Sequence, residues 1–183
     1  MVGSFPIEMA WVGEDGVGEA HLIVPEDDWH EWSHASESIH GISRQQLAAE
    51  GQPAHHVAAR YLAAASGADA LYFDGRSVDQ GWSDTLVEAA GERRLVRLSD
   101  VADLYAEACR PLLRLLPDPD HRLYKHARNK LILDARQLLA DVQAAEHARV
   151  RRRHRALDDA RGLLWTWMEL LRRVADLTGD PPP

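Results

Sequence analysis

Ile7-Glu8-Met9-Ala10-Trp11-Val12, followed beyond Asp15-Gly16 by Glu19-Ala20-His21-Leu22-Ile23-Val24, decides the fold class. Apolar and mixed positions alternate in the first run, as in a strand with one face on a core. Asp15-Gly16 supplies a favourable turn, so an antiparallel hairpin is expected, with a loop longer than the tightest kind. Pro25 and the acids after it end the second strand. Further strands are expected at 71–73, turned by Asp74-Gly75, and at 95–98. Helices are expected at 43–50 after Gly41, at 54–65 after Pro53, and at 82–90 before Gly91. Ser99 is placed to cap another helix running to about Leu115, and the prolines between Pro111 and Pro119 break the chain there. Residues 123–150 and 157–177 read as helices. In the last, Leu157, Leu164, Met168, Leu171 and Val174 recur at helical spacing and predict the buried face. Strands interleaved with helices make the chain mixed α/β.

At 183 residues, 45% hydrophobic and 27% charged, the chain can build one substantial core. A single domain over 5–178 is expected, with 179–183 as a flexible tail. The net charge of -8 argues against a broadly basic nucleic-acid surface. It leaves room for a local basic strip or a metal-neutralised cleft. No apolar run is long enough for a membrane span and no signal-like segment stands at the amino end, so no membrane association and a cytoplasmic location are expected. A lone cysteine, Cys109, excludes an intramolecular disulfide and reads as a small core residue.

The chemistry-bearing stretch is Arg151-Arg152-Arg153-His154-Arg155-Ala156-Leu157-Asp158-Asp159-Ala160. Within one regular helix, His154 and Asp159 would sit about 140° apart, and His154 would pair with Asp158 instead. His154 and Asp159 share a site only if His154 precedes the helix and Asp159 lies in its first turns. Simple capping by the acids, favoured by the positive helix end, is the competing reading. The arginine run, Arg153 included, reads either as a phosphate neutraliser or as a solvated helix terminus. A second cluster, Phe73-Asp74-Gly75-Arg76-Ser77-Val78-Asp79, follows a strand and is well placed to face a crevice. Asp74 satisfying a turn and Asp79 capping the next helix are the alternatives. Trp29 and Trp32 flank an acidic loop before Ile39-His40-Gly41, and either stack on terminal nucleobases or pack under that loop.

The order of these motifs resembles that of the DnaQ-like, or DEDDh, 3'-5' exonucleases of the ribonuclease H-like fold. The likeness runs from Phe5-Pro6-Ile7-Glu8-Met9-Ala10-Trp11-Val12, through Ile39-His40-Gly41-Ile42-Ser43 and Asp79-Gln80-Gly81-Trp82, to His154-Arg155-Ala156-Leu157-Asp158-Asp159-Ala160. It implies a ribonuclease H-like mixed sheet flanked by helices. It also implies Asp79 and Asp159 as metal-binding aspartates and His154 as general base. Trp29, His40, Asp74, Asp158 and Arg153 become tentative substrate-binding or supporting residues. The implied cofactors are two Mg²⁺ or Mn²⁺ ions, and the implied partner is a single-stranded DNA or RNA 3' end, with a homo-oligomer left open. The family's first strand, bearing Asp-x-Glu, has no counterpart before Phe5. An amino-terminally incomplete sequence is the expectation, and a closed gap or a strand donated by another chain are the alternatives. A non-catalytic nucleic-acid-binding or protein-interaction domain on the same scaffold is the other function that the sequence allows.

Overall fold

A computed structural model describes residues 4–75, 77–93, 96–149 and 154–181. Contacts divide the chain into two compact units: unit 1 holds residues 1–100 and 151–161, and unit 2 holds 101–150 and 162–183. The chain is mixed α/β, with a small mixed sheet flanked by helices.

In unit 1 the hairpin forms from β1 (Glu8–Val12) and β2 (Gly18–Val24), antiparallel with Glu8 opposite Leu22 and Val12 opposite Gly18. The connection closes locally. Val17 N donates to Asp15 Oδ1 at 2.9 Å, and Gly16 takes φ +78°, the left-handed region open to glycine. Two short helices follow, α1 (His34–His40) and α2 (Arg44–Glu50), capped by the hydroxyls of Ser33 and Ser43. The stretch between Trp29 and Trp32 is a loop, as expected, and α1, which was not expected, begins just after it. Gly51 then lets the end of α2 come down on β2, since a Cβ there would stand 2.8 Å from Val24 N. This close approach aligns β3 (Gln52–Pro53) parallel to β2.

Helix α3 (Ala54–Ser66) starts at Pro53 and buries Ala54, Val57, Ala58 and Tyr61, an i, i+3, i+4, i+7 stripe. They pack with Ile23, Leu86, Val87 and Val96 into the core of unit 1. Full burial of a side chain such as Ile23 or Leu86 contributes about 1.5–3 kcal/mol. A buried polar pair within this core, Tyr61 and Ser83, is satisfied internally at 2.9 Å.

The second sheet element differs from expectation in an instructive way. β4 (Tyr72–Phe73) pairs in parallel with β5 (Ser99–Asp100), not with a strand at 95–98. Gln80, on α4 (Ser77–Ala89), supplies the reason. Its amide donates to Val96 O at 2.8 Å and accepts from Leu98 N at 3.0 Å, occupying the backbone groups a ladder would need. Ladder pairing begins only where Ser99 N reaches Leu71 O, at 2.8 Å. Leu95 lies outside the described residues. Helix α4 starts five residues earlier than the expected 82–90, because Asp79 reaches back to Gly75 N and stabilises the extra turn. Among the described residues β1 is paired only with β2, and β4 only with β5.

Unit 2 is helical. α5 (Val101–Cys109) gives way to a 3₁₀ turn over Arg110–Leu115 at Pro111, which lacks the N–H a continued helix would need. Ser99, expected as a cap, is a strand residue instead. α6 (Tyr124–His147) and the later part of α7 (Ala156–Thr178) complete the unit. Val101, Tyr105, Ala108, Val142 and Leu170 form its core, with Cys109 packed against it. The buried stripe of α7 is rotated from the expected one. Thr166, Leu170 and Val174 face inward, while Met168, about 200° from Leu170, is 49% exposed. No helix of the described residues is long and apolar enough to cross a membrane.

Candidate functional site

The start of α7 is fixed from the far end of the sequence. Glu8, on β1, accepts from Arg155 Nη2 at 2.7 Å and from Ala156 N at 2.9 Å. Its carboxylate thereby neutralises a guanidinium and satisfies one of the helix's orphan donors. The Glu8 side chain is 8% exposed and that of Arg155 is 24% exposed. Leu157 meets the hairpin beside Gly18, where a Cβ would stand 2.7 Å from Leu157 Cδ1. A polar clamp and a glycine notch therefore hold the first turn of α7 on the hairpin.

That clamp sets the local chemistry. His154 is an exposed turn residue with φ +59°, the left-handed region, and it precedes the helix. Asp158 and Asp159 fall in the first turn, with Asp159 N donating to Arg155 O at 2.9 Å. The condition for His154 and Asp159 to face one site, a histidine before the helix and an aspartate in its first turn, is met. Both aspartates also lie at the end of α7 whose dipole favours negative charge.

His40, in the last turn of α1, belongs to the same neighbourhood. Burial lowers its pKa, the charges of Glu37 and Glu8 oppose that shift, and those of Arg155 and His154 reinforce it. His40 Nδ1 accepts from Ile42 N at 3.1 Å, which fixes the neutral ring with its proton on Nε2. Trp32 stands edge-on to His40 and donates its indole N–H to Glu37 at 2.7 Å. Trp29 stacks on Phe5 with 5.2 Å between centroids and packs against the unit 1 core, while its carbonyl accepts from Arg44.

The middle-motif carboxylates form a separate group. Asp79, in the first turn of α4, accepts from Gly75 N at 3.1 Å. Burial raises its pKa, the charge of neighbouring Asp74 raises it further, and the Gly75 N–H partly offsets both. Gly75 is required for this approach, since a Cβ there would collide with the Asp79 carboxylate. Asp74 itself is exposed after β4.

His154, Glu8, Arg155 and His40 are thus brought together, as are Asp74 and Asp79. Among the described residues no three His, Cys, Asp or Glu side chains are grouped so as to hold a metal ion. Asp79, His154 and Asp159 therefore do not by themselves fit a divalent-ion pair. Arg153 lies outside the described residues. Sequence reasoning missed Glu8, Arg155 and Gln80 as organisers of the site. The one signal for Glu8 was a lone carboxylate inside an otherwise apolar strand. No protein-family model, curated protein or solved structure matches the chain.

Proposed function

We propose that this chain is a 3'-5' exonuclease-like protein on a ribonuclease H-like scaffold, acting at single-stranded DNA or RNA 3' ends once its set of acids is complete. The observation that carries the proposal is the start of α7, with His154 in a left-handed turn ahead of the helix and Asp159 in its first turn. An imidazole so held can take the proton of a water attacking a terminal phosphodiester. A buried Asp79 in the first turn of the helix after β4 is a second support. Among the described residues β1 is paired only with β2 and β4 only with β5, and the resemblance places a strand bearing Asp-x-Glu beside them. Mg²⁺ or Mn²⁺ would be held only with those further acids in place.

A second reading is favoured by the lack of a metal-holding group among the described residues. On it, the scaffold binds nucleic acid or a protein without catalysis. The test uses 5'-labelled oligonucleotides with Mg²⁺ or Mn²⁺, given to the chain and to a version lengthened at the amino end by a strand carrying Asp-x-Glu. Stepwise shortening from the 3' end is expected in the lengthened version. New amide-exchange protection along β1, showing that the strand has docked, without any shortening would overturn catalysis. Oligonucleotide binding without divalent ions would then leave the second reading.

A further inference from the structure

We infer that the amino-terminal half of α6, in unit 2, is a docking stripe for the phosphate backbone of a single-stranded nucleic acid. In a chain of net charge -8, residues 122–136 carry five of the 21 Lys and Arg and only one of the 29 Asp and Glu. Lys130 is paired with that single acid, Asp134, at 2.6 Å. Lys125, Arg128 and Arg136 are exposed, and no carboxylate of the described residues pairs with them. At 100° per residue they fall with Ile132 within an arc of about 80°, along roughly 16 Å of helix. The side turned into the unit, with Leu138 and Val142, lies about 100° round the helix from the middle of that arc.

Electrostatics within the helix do not account for this placement. Lys125 and Arg128 stand in the opening turns of α6, where the dipole disfavours cations, and no acid offsets them in the first turn. Three other arginines of unit 2 are matched: Arg110 with Glu107, Arg114 with Asp180, and Arg172 with Glu169 and Asp176. The unmatched stripe fits a line of phosphates, which accept bidentate arginine contacts. An anionic membrane surface fits it less well. An interfacial helix needs a continuous apolar face outward, and the exposed apolar residues here, Leu123, Ile132 and Leu133, are spread round the helix, with Ile132 among Lys125, Arg128 and Arg136. The choice of nucleic acid over other polyanions rests on the nuclease reading, but the stripe lies on unit 2 and needs neither Asp79 nor His154.

The experiment is fluorescence anisotropy of labelled oligothymidylate in EDTA over a salt series, with the full chain and its Lys125→Gln/Arg128→Gln/Arg136→Gln variant. The expected result is a loss of affinity on the order of tenfold or more in the variant, with the log-log salt slope reduced by about 2. Circular dichroism confirms its helix content, and Arg110→Gln/Arg114→Gln is expected to bind like the parent. Equal affinity and slope in parent and stripe variant would overturn the inference, as would parent binding to phosphatidylserine vesicles but not to the oligonucleotide. Hydrolysis by the lengthened version at saturating oligonucleotide reports on His154 and Asp79 separately, so failure of the stripe and failure of the nuclease reading give different results.

Discussion

In unit 1 the first turn of α7 is held by a carboxylate, Glu8, that takes both Arg155 and the backbone N–H of Ala156. In unit 2 its later turns are held by Leu170 and Val174, among Val101, Tyr105, Ala108 and Val142. Apolar packing is non-directional and holds a helix without defining which polar groups lie at its end. A bidentate ion pair defines orientation at a cost in desolvation. The directional anchor occurs at the turn that carries His154 and Asp159, and the non-directional one along the later turns of α7.

Leu170→Ala attacks the apolar anchor and carries the largest expected effect. Leu170 is fully buried, so the loss should be about 3–4 kcal/mol by urea unfolding. A loss under about 1 kcal/mol would show that the helix is held otherwise. Glu8→Ala attacks the polar anchor and should cost about 2–3 kcal/mol, less than for a wholly buried pair because Arg155 retains some solvent. Adding Arg155→Ala should recover part of that loss, since no unpaired guanidinium is then left. Strict additivity of the two substitutions would refute coupling between them.

Acid separates the units by the sign of its effect. Arg172 and Arg173 hold the Glu169 carboxyl down at about 2, below its ordinary 4.5. Its contribution to unit 2 is therefore fully present above pH 4.5 and is lost as pH falls towards 2. Asp79 has the opposite displacement, raised above its ordinary 3.8 by burial and by Asp74. Its ionised form weighs against folding at neutral pH, and that penalty is relieved as pH falls through its raised pKa. Urea titrations at neutral pH should find Asp79→Asn more stable than the parent and Glu169→Gln less stable. Both differences should shrink on acidification. A less stable Asp79→Asn at neutral pH would contradict the burial argument.

The smallest expected effect concerns the left-handed turn. His154→Gly removes a side chain from φ +59° and should leave stability unchanged or raise it by up to about 1 kcal/mol. Activity in the lengthened version should disappear. On the proposed function, a histidine where glycine fits better is a stability cost accepted for catalysis. A substantial loss of stability in His154→Gly would assign the side chain a structural role instead.

The hairpin and the helices after Ser43 and Pro53 were legible because their causes are local: alternation, a turn glycine, a capping hydroxyl and a proline at a helix start. β5 was not legible at its true position, since the Gln80 amide claims Val96 and Leu98 from 16 and 18 residues away. α1 was hidden because its cap, Ser33, lies in a polar run without apolar periodicity. For the candidate site, spacing stated the condition on His154 and Asp159. The Glu8 clamp that meets it joins residues 147 apart, beyond any local pattern. The stacking of Trp29 on Phe5 likewise depends on tertiary contact.

The proposed function requires Asp79, His154 and Asp159 to serve one hydrolytic centre, although the structure groups Asp79 with Asp74 and His154 with Glu8, Arg155 and His40. It is tested most directly by the turnover of a 5'-labelled oligonucleotide by the lengthened version and its Asp79→Asn, His154→Ala and Asp159→Asn variants, with circular dichroism alongside. The expected result is a fall of at least about a hundredfold in each variant, with the fold intact. Turnover equal to the parent's in any one of the three would contradict its assigned role, and equality in all three would end the nuclease assignment.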